Sequence, residues 1–407
     1  MEPKRVIVTY SDECGNWPNI EKDLVARLPL RNIVWKPSNN RAKRNIAMLD
    51  VEFRRFSAES SKNLPPVTLL QNPYLNLYFV NCEDNETYKA TVRQKIREWI
   101  QLVTSKKNQE WLIVHISSQE SVRAAKFLRS SVLDRIKADF NTGKRDRQVT
   151  ETVSTQVAQV RMADTEMSEM ELWADFTEKT KEGILTSFDQ NVMTFEEDIR
   201  RLDSQRQMPG WNYCTFFILK EGLTNAYEMM NLHEEALMQY DELEASFFQI
   251  LRDNALTWYG KFGGMQDGDN DANLLDINRK PYRDLIIQNT ISVFDFRTYL
   301  FGRQCNLLFR LRRPAEICQR ALIFIPSFAR TVREHVLNLT ENFLESWIYS
   351  ACMSIVNECD ETLLLSTDDP HLMALLDGAK AELLQLARQQ VLLDQIEFRA
   401  IHMKDSQ

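Results

Sequence analysis

The stretch NAYEMMNLHEEALMQYDEL, residues 225–243, has the pattern of two helices joined by a tight turn. Tyr227, Ala236 and Tyr240 stand at the offsets that interlock the helices of a tetratricopeptide-type repeat, and Asn231 falls in the turn. A small residue is needed where two helices approach closely, and aromatic residues fill the gaps on either side. The stretch therefore predicts one helical hairpin.

A search for further copies finds one weaker match, LLFRLRRPAEICQRALIF at residues 307–324. Two imperfect copies at an irregular interval do not make a regular array. They favour stacked hairpins near 211–254 and 294–339, in a tetratricopeptide-like, irregular α-solenoid whose surface serves binding.

Helical periodicity covers the rest of the second half of the chain. An apolar stripe recurs every three or four residues over 169–203, and further helical patterns continue to His402. We therefore predict an all-helical domain over 163–407.

The first half alternates strand and helix patterns instead. Strand followed by helix, twice in succession, predicts an α/β domain over 1–162 with at least part of its sheet parallel. The polar interval 141–170 is the predicted boundary, and QVAQVRM within it, residues 156–162, is a candidate edge strand. The predicted strands are 5–10, 31–35, 74–80 and 110–116, and the predicted helices are 87–103 and 121–140.

The composition is that of a soluble globular chain of two or three domains. Of 407 residues 43% are hydrophobic and only 11 are glycine, which favours helices over a large β architecture. The N-terminus lacks a signal-peptide pattern, and no apolar run approaches the ~20 residues that span a bilayer. The seven cysteines include no Cys-x-x-Cys pair, as expected of reduced thiols. We therefore expect a cytoplasmic protein.

Charge is unevenly distributed although the net charge is −8. The segment 93–147 carries 13 basic and 6 acidic residues, whereas 164–203 carries 12 acidic and 4 basic residues. Such segments can steer a partner, attract one another or form solvated helix faces, and the sequence leaves these alternatives open.

Motifs for catalysis, metals and cofactors are incomplete. The loop DGDNDANLLDIN, residues 267–278, has the first three acids of a calcium-binding EF-hand, but Ala272 replaces the turn glycine and Asn278 the closing glutamate. Neither a P-loop nor a dinucleotide fingerprint follows the strands, and the five histidines stand far apart. We predict no catalytic residue, no metal and no cofactor.

The segment FDFRTYLFGRQCNLLFRLRRPAEICQRALIFI, residues 294–325, is apolar on nearly every face yet rich in arginine. In one interpretation the arginines bury their stems and pair their charged heads. In the other they line a groove for an acidic partner, and the candidate partner-binding residues are then Arg303, Arg310, Arg312 and Arg313.

Five longer segments resemble the N-terminal part of the large subunit specific to TRAPP II, the trafficking protein particle tether, in the family of its tenth subunit. They are NPYLNLYFVNCEDNETYK (72–89), WLIVHI (111–116), FFILKEGLTNAYEMMNLHEEALMQYDELE (216–244), NLLDINRKPYRDL (273–285) and FDFRTYLFGRQCNLLF (294–309). The resemblance covers nearly the whole chain. Family members are much longer and continue into C-terminal β-sandwich domains, so it implies a fragment or a truncated form.

The resemblance implies a non-catalytic scaffold subunit of an assembly that tethers vesicles at the Golgi and promotes nucleotide exchange on Rab-type GTPases. The implied partners are other TRAPP subunits, a Rab-type GTPase reached through the complex, and peripheral Golgi membrane, with no nucleic acid. The implied location is cytoplasmic, peripheral to the trans-Golgi and early endosome.

Two alternatives remain open. The first is a tetratricopeptide-like adaptor unrelated to trafficking, which predicts a concave groove for an extended peptide. The second is an enzyme with a site at the strand ends near Tyr10, Cys82 and His115, which requires a deep polar pocket with converging titratable groups.

Overall fold

Strand β5 (Leu75–Val80) is the centre of a five-stranded sheet, and all six of its side chains are buried. This is a computed structural model. The chain forms two compact units: residues 1–200 with 225–232 make the first, and residues 201–224 with 233–407 make the second. The residues that the structure describes are 5–39, 41–57, 72–82, 84–105, 109–117, 132–140, 157–161, 166–252, 266–336, 339–363 and 370–404.

The described residues of the first unit form seven strands and several helices. The strands are β1 (Val6–Asp12), β2 (Leu30–Trp35), β3 (Arg44–Leu49), β4 (Val51–Arg55), β5, β6 (Glu110–Ser117) and β7 (Val157–Arg161). The helices are α1 (Trp17–Val25), α2 (Asn85–Thr87), which runs through a π-helical turn (Tyr88–Val92) into α3 (Arg93–Thr104), α4 (Val132–Phe140) and α5 (Glu166–Ser204).

The main sheet is parallel throughout, with strand order β4-β1-β5-β6-β7. This confirms the predicted α/β region with a parallel sheet, and QVAQVRM supplies the edge strand β7. Counted among the parallel strands alone, the order is 2-1-3-4-5, that of a doubly wound sheet. In such sheets the chain reverses its winding direction between the first and third strands, so the corresponding switch point lies between β1 and β5.

The alternation in 74–80 separates two faces that are both covered. Leu75 and Phe79 face the side where Gly183 of α5 and Trp17 of α1 pack, whereas Tyr78 and Val80 join a cluster with α3 and α4. A central parallel strand is buried on both sides, so its polar member must find partners. Asn76 does so: Thr9 Oγ1 donates to its Oδ1 at 2.6 Å, and its Nδ2 donates to the Glu110 carbonyl at 3.0 Å.

Strands β3 and β4 were not predicted from the sequence. The segment RNIAMLDVEFRR carries charge at both ends, and its buried residues Ile46, Leu49 and Val51 do not alternate regularly with exposed ones. The strand predicted at 31–35 forms as β2, but it pairs antiparallel with β3 in a separate two-stranded sheet. The predicted helix 121–140 is seen as α4, and its part before residue 132 lies outside the described residues.

The long helix α5 confirms the apolar stripe predicted over 169–203. Its buried residues Phe176, Ile184, Phe188, Val192 and Phe195 recur every three, four or eight positions and face the first unit. Its acids also pair within that unit. Asp189 accepts hydrogen bonds from Trp35 Nε1 at 3.1 Å and from Ser38, and Glu196 pairs with Arg41 at 2.6 Å.

These contacts bear on the uneven charge distribution. The acidic segment attracts the connection between β2 and β3 through Asp189 and Glu196. In the basic segment, Arg93 pairs with Asp139 at 2.7 Å and Lys95 with Glu13 at 2.6 Å. Both segments therefore use part of their charge locally.

The remaining helices match the predicted pattern closely. They are α6 (Tyr213–Met229), α7 (His233–Arg252), α8 (Tyr282–Ile287), α9 (Val293–Arg310), α10 (Pro314–His335), α11 (Phe343–Leu363) and α12 (Pro370–Lys404). In the second unit α9 packs on α7 and α10, and α10 packs on α11 and α12. No helix in the described part of the chain is long and apolar enough to cross a membrane.

Aromatic side chains form the centre of the second unit. Tyr213, Phe217, Phe247 and Phe296 contact one another with ring centroids 4.8 to 6.4 Å apart. Buried Arg297 lies beside them, 4.4 Å above the Phe248 ring, and its guanidinium donates to Glu244 at 2.8 Å. The part of the segment 294–325 up to Leu308 is thus a largely buried helix, as its composition indicates, whereas Arg312 and Arg313 in the following turn are exposed.

The turn predicted within residues 225–243 joins α6 to α7. Asn231 adopts a left-handed φ of 56° in the turn, and Leu232 N–H closes the end of α6 by donating to the Tyr227 carbonyl at 2.9 Å. In the first unit Tyr227 packs on Trp35 and Phe188. The domain division at 162/163 and the solenoid character remain predictions.

Candidate functional site

The turn between α9 and α10, residues 310–314, carries three of the four arginines selected from the sequence. Helix α9 ends in the two backbone bonds of a Schellman motif: Arg312 N–H donates to Phe309, and Arg313 N–H to Leu308, both at 3.0 Å. The motif requires a left-handed residue, usually glycine. Here that residue is Arg312, with φ 57°.

Arginine is an unfavourable choice at this position. A side chain with a Cβ in the left-handed region costs about 1 kcal/mol relative to glycine. The turns after α6 and α8 close in the same way but use Asn231 and Asn289, whose short polar side chains tolerate this conformation. The α9–α10 turn therefore keeps a long cation at a position where its conformation is strained.

The four arginines differ in what they contact. Arg303 is half-buried, and its Nε donates to Tyr240 Oη at 2.7 Å with the guanidinium over that ring. Arg313 pairs with Glu234 and lies 3.7 Å from Glu316. Arg310 and Arg312 form no hydrogen bond or ion pair with any described residue.

The electrostatics of the turn favour an exposed positive charge. Arg310 lies in the last turn of α9, where the helix dipole is negative and stabilises a cation. Neighbouring acids are already engaged: Arg320 binds Asp241 through two nitrogens at 2.7 and 3.1 Å, and these bonds raise the pKa of Arg320. The two unpaired guanidiniums thus remain available to an acidic group from outside.

A buried polar network connects α6 with the helices around it. Glu221 of α6 accepts hydrogen bonds from Tyr299 Oη at 2.5 Å and Tyr240 Oη at 3.3 Å, and it pairs with Arg283 at 3.0 Å. Burial, followed by the charge of Glu221, raises the pKa of Tyr299 far above its ordinary value. Since its partners lie on α7, α8 and α9, the network fixes the positions of these helices, and Arg303 joins it through Tyr240.

The strand ends near Tyr10, Cys82 and His115 are occupied by local contacts. The Tyr10 ring stacks on Trp17 at 3.6 Å, and buried His115 forms a 2.9 Å hydrogen bond between its Nε2 and the Cys82 carbonyl. At the switch point Asn81 N–H donates to Cys14 Sγ at 3.3 Å, which joins the loops after β5 and β1. These contacts give the three residues structural roles.

The central carboxylate of the acidic loop at residues 267–278 forms ion pairs with basic residues of this chain. Asp269 is buried and pairs with Arg279 at 2.9 Å and Lys280 at 2.8 Å, and Lys280 also binds Asp295 at 2.7 Å. Within the described residues no group of three or more histidine, cysteine or acidic side chains is placed to hold a metal ion. Sequence alone did not reveal this pairing, because the basic partners follow the loop rather than lie within it.

Known proteins are similar to this chain both over its first 206 residues and over most of its length. Residues 1–206 match the model of the family described as trafficking protein particle complex subunit 10-like, N-terminal. The chain belongs to this family. The relationship confirms the resemblance inferred from the five sequence segments.

Curated members of the subunit 10 family are similar over most of the chain. Trafficking protein particle complex subunit 10 of Dictyostelium discoideum is 35% identical over 403 residues, which cover 88% of this chain and 26% of that protein. The trafficking protein particle complex II-specific subunit 130 homolog of Oryza sativa subsp. japonica is 32% identical over 359 residues, covering 86% and 27%. The human subunit 10 is 29% identical over 399 residues, covering 95% and 31%.

The chain thus spans about a quarter to a third of the length of these relatives. The matches extend beyond residue 206 into the helical unit, which contains the arginine-bearing turn.

Proposed function

We propose that this chain is a non-catalytic scaffold and tethering subunit of the TRAPP II complex in vesicle-mediated transport at the Golgi. Relatives with the names of TRAPP subunits support this proposal, among them complex II-specific subunit 130 homologs of two plants. The observation that carries the proposal is the 35% identity to the Dictyostelium subunit over 88% of the chain. In the assembled complex the subunit supports nucleotide exchange on a Rab-type GTPase, peripheral to the trans-Golgi and early endosome.

The scaffold role is supported by how the chain uses its polar groups. Glu221, Asp269 and Asn76 are buried and bonded to side chains or backbone of neighbouring elements. Such groups position helices and strands. We propose an α/β domain over 1–162 and an irregular tetratricopeptide-like solenoid over 163–407, whose outer faces bind other subunits.

The α9–α10 turn is the proposed contact point on the helical unit. Arg310 and Arg312 form no ion pair with any residue that the structure describes, and Arg312 adopts a strained conformation that glycine would relieve. Backbone strain retained at an exposed position is typical of a functional constraint. We propose that these two arginines bind carboxylates of a neighbouring TRAPP subunit, with Arg313 beside them.

One substitution separates binding from folding. In the Arg312→Gly variant the left-handed residue loses its Cβ and its charge together, so we expect stability to rise by about 1 kcal/mol while partner binding weakens. Stability is measured by urea unfolding, and binding by co-purification with the other TRAPP subunits in increasing salt. The control for loss of charge is Arg330→Gln, at an exposed position inside α10. Glutamine is used there because glycine inside a helix would itself be destabilising.

The outcomes are distinct. Increased stability with weakened co-purification supports the contact, and the Arg310→Gln/Arg312→Gly double variant should weaken it further. If the double variant co-purifies as well as the unmodified chain, the turn is not a contact surface. If no TRAPP subunit co-purifies with the unmodified chain, the proposed function itself fails.

A further inference from the structure

Two buried cysteines from different helices meet in the second unit. Cys318 lies in the second turn of α10 and Cys359 lies one turn before the end of α11, and their Sγ atoms are 3.8 Å apart. They are separated by 41 residues in sequence, so helix packing alone brings them together. No sequence motif predicts this pair.

The surroundings of the pair distinguish its two sulfur atoms. Cys359 Sγ lies 3.9 Å from the Pro314 carbonyl oxygen. Lys380 of α12 places a positive charge near Cys318, and its Nζ is held by Asp360 at 2.8 Å and Asp377 at 3.1 Å.

The positive charge of Lys380 favours the thiolate form of Cys318. The hydrogen bond with Cys359 lowers the pKa of Cys318, and Lys380 acts in the same direction, against the effects of burial and of Asp360. The same bond raises the pKa of Cys359. Elsewhere in the helical core, burial raises the pKa of Cys352 to about 12 and that of Cys305 still further. A thiol reacts with an oxidant as the thiolate, so oxidation should begin at Cys318.

The geometry suits a disulfide better than a metal site. Among the described residues no third histidine, cysteine or acid joins the pair in an arrangement that could hold a metal ion. A disulfide requires the sulfurs to approach by a further ~2 Å, to a bond length near 2.05 Å. Both cysteines lie close to helix ends, so opening of a single turn admits a small oxidant.

We propose that Cys318 and Cys359 are an oxidative modification site, at which a peroxide converts the two thiols into a reversible disulfide that joins α10 to α11. The Cys318 thiolate attacks one peroxide oxygen, the O–O bond breaks, and a sulfenic acid and hydroxide form. Cys359 then attacks Cys318 Sγ, the S–O bond breaks, and the displaced oxygen leaves as water. In total, two thiols lose two electrons and two protons, and hydrogen peroxide becomes two waters.

The modification does not depend on the role in vesicle transport. The disulfide would stabilise the packed arrangement of α10 and α11, because a bond across 41 residues lowers the conformational entropy of the unfolded chain. A thiol reductant reverses it by exchange.

The test uses the whole purified chain treated with hydrogen peroxide. After the remaining thiols are alkylated, peptide mass spectrometry should find a Cys318–Cys359 linked peptide, and the Tm should rise by several degrees and return to its starting value after dithiothreitol. Cys352→Ser, two helical turns earlier on α11, is the matched control and should keep both effects. Cys359→Ser should lose both.

Absence of the linked peptide in folded, peroxide-treated chain would overturn the proposal. So would a dominant linkage through Cys305 or Cys352. Because peptide mapping of the unmodified chain decides the matter, the test stands even if a serine variant fails to fold.

Discussion

Glu221 lies at the centre of a buried polar network in the second unit. It is 1% exposed and bonded to Tyr299, Tyr240 and Arg283. Removing one partner of a buried ion pair leaves the other charge uncompensated, which costs roughly 3–5 kcal/mol. We therefore expect Glu221→Ala to lower the free energy of unfolding by about that amount, measured by urea denaturation.

The matched control for Glu221 is an exposed pair in the same unit. Arg333 is 62% exposed and pairs with Glu345 at 3.1 Å. Exposed ion pairs contribute roughly 0–1 kcal/mol, so Arg333→Ala should change stability by no more than that. Equal losses in the two variants would mean that the Glu221 network contributes little.

Tyr282 predicts how stability depends on alkaline pH. Burial, with a smaller effect of Asp295, raises the pKa of Tyr282 to about 12. Between pH ~10 and ~12 the unfolded chain releases this proton while the folded chain retains it. The contribution of Tyr282 to the free energy of unfolding is thus fully present below pH ~10 and is lost as the pH rises toward 12.

The Tyr282→Phe variant isolates this effect, because phenylalanine keeps the ring without the titrating group. We expect the variant to lose stability less steeply than the unmodified chain between pH 10 and 12, measured by urea unfolding at a series of pH values. Parallel slopes would show that Tyr282 titrates as it does in the unfolded chain.

The sequence predicted packing roles for individual residues better than polar partners. Ala236 and Tyr240 are fully buried, as the hairpin pattern indicates, and His115 is an interior histidine. The partners of Glu221 could not be predicted, because they come from helices 19 to 78 residues away and pair through tertiary packing. The left-handed φ of Arg312 could not be predicted either, because arginine is not a residue type that favours this conformation.

At the scale of elements, Gly302 marks a close approach between α9 and residues 274–277. It lies in α9, where an added Cβ would stand 2.8 Å from Ile277 Cγ2 and 3.3 Å from the Leu274 carbonyl oxygen. Overpacking of this kind costs roughly 1–3 kcal/mol, which exceeds the gain of about 1 kcal/mol from replacing a helical glycine by alanine. We therefore expect Gly302→Ala to be destabilising in urea unfolding.

Gly378 is the corresponding control. It lies in helix α12, and an added Cβ there meets no heavy atom within 4 Å. Gly378→Ala should stabilise the chain by roughly 0.5–1 kcal/mol, because alanine is the better helix former. Stabilisation by both substitutions would contradict the close packing of α9 against residues 274–277.

Elements with strong periodicity were predictable and elements with one weakly patterned face were not. The helix predicted over 169–203 forms as α5, Glu166–Ser204, and α6 and α7 lie within the region near 211–254 that was predicted to be helical. The strands β3 and β4 were missed, since an edge strand and a half-exposed strand tolerate charged residues. The pairing of β2 with β3 rather than with the main sheet depends on long-range packing that local pattern does not encode.

At the scale of the whole molecule, a doubly wound parallel sheet and a set of stacked helices come from one chain of the subunit 10 family. The sequence alone predicted both classes of structure and the family. The arginine-bearing turn was also selected from the sequence, but its division into paired and unpaired arginines required the structure. Its role as a contact surface remains a proposal.

Affinity purification with quantitative mass spectrometry tests most directly whether this chain is part of a TRAPP assembly. The tagged chain is the bait, and a tagged full-length relative is the positive control in the same cells. We predict that the chain recovers several other TRAPP subunits in fixed ratios that persist through repeated washing. A folded chain that recovers none of them, where the full-length relative recovers them all, would contradict the account.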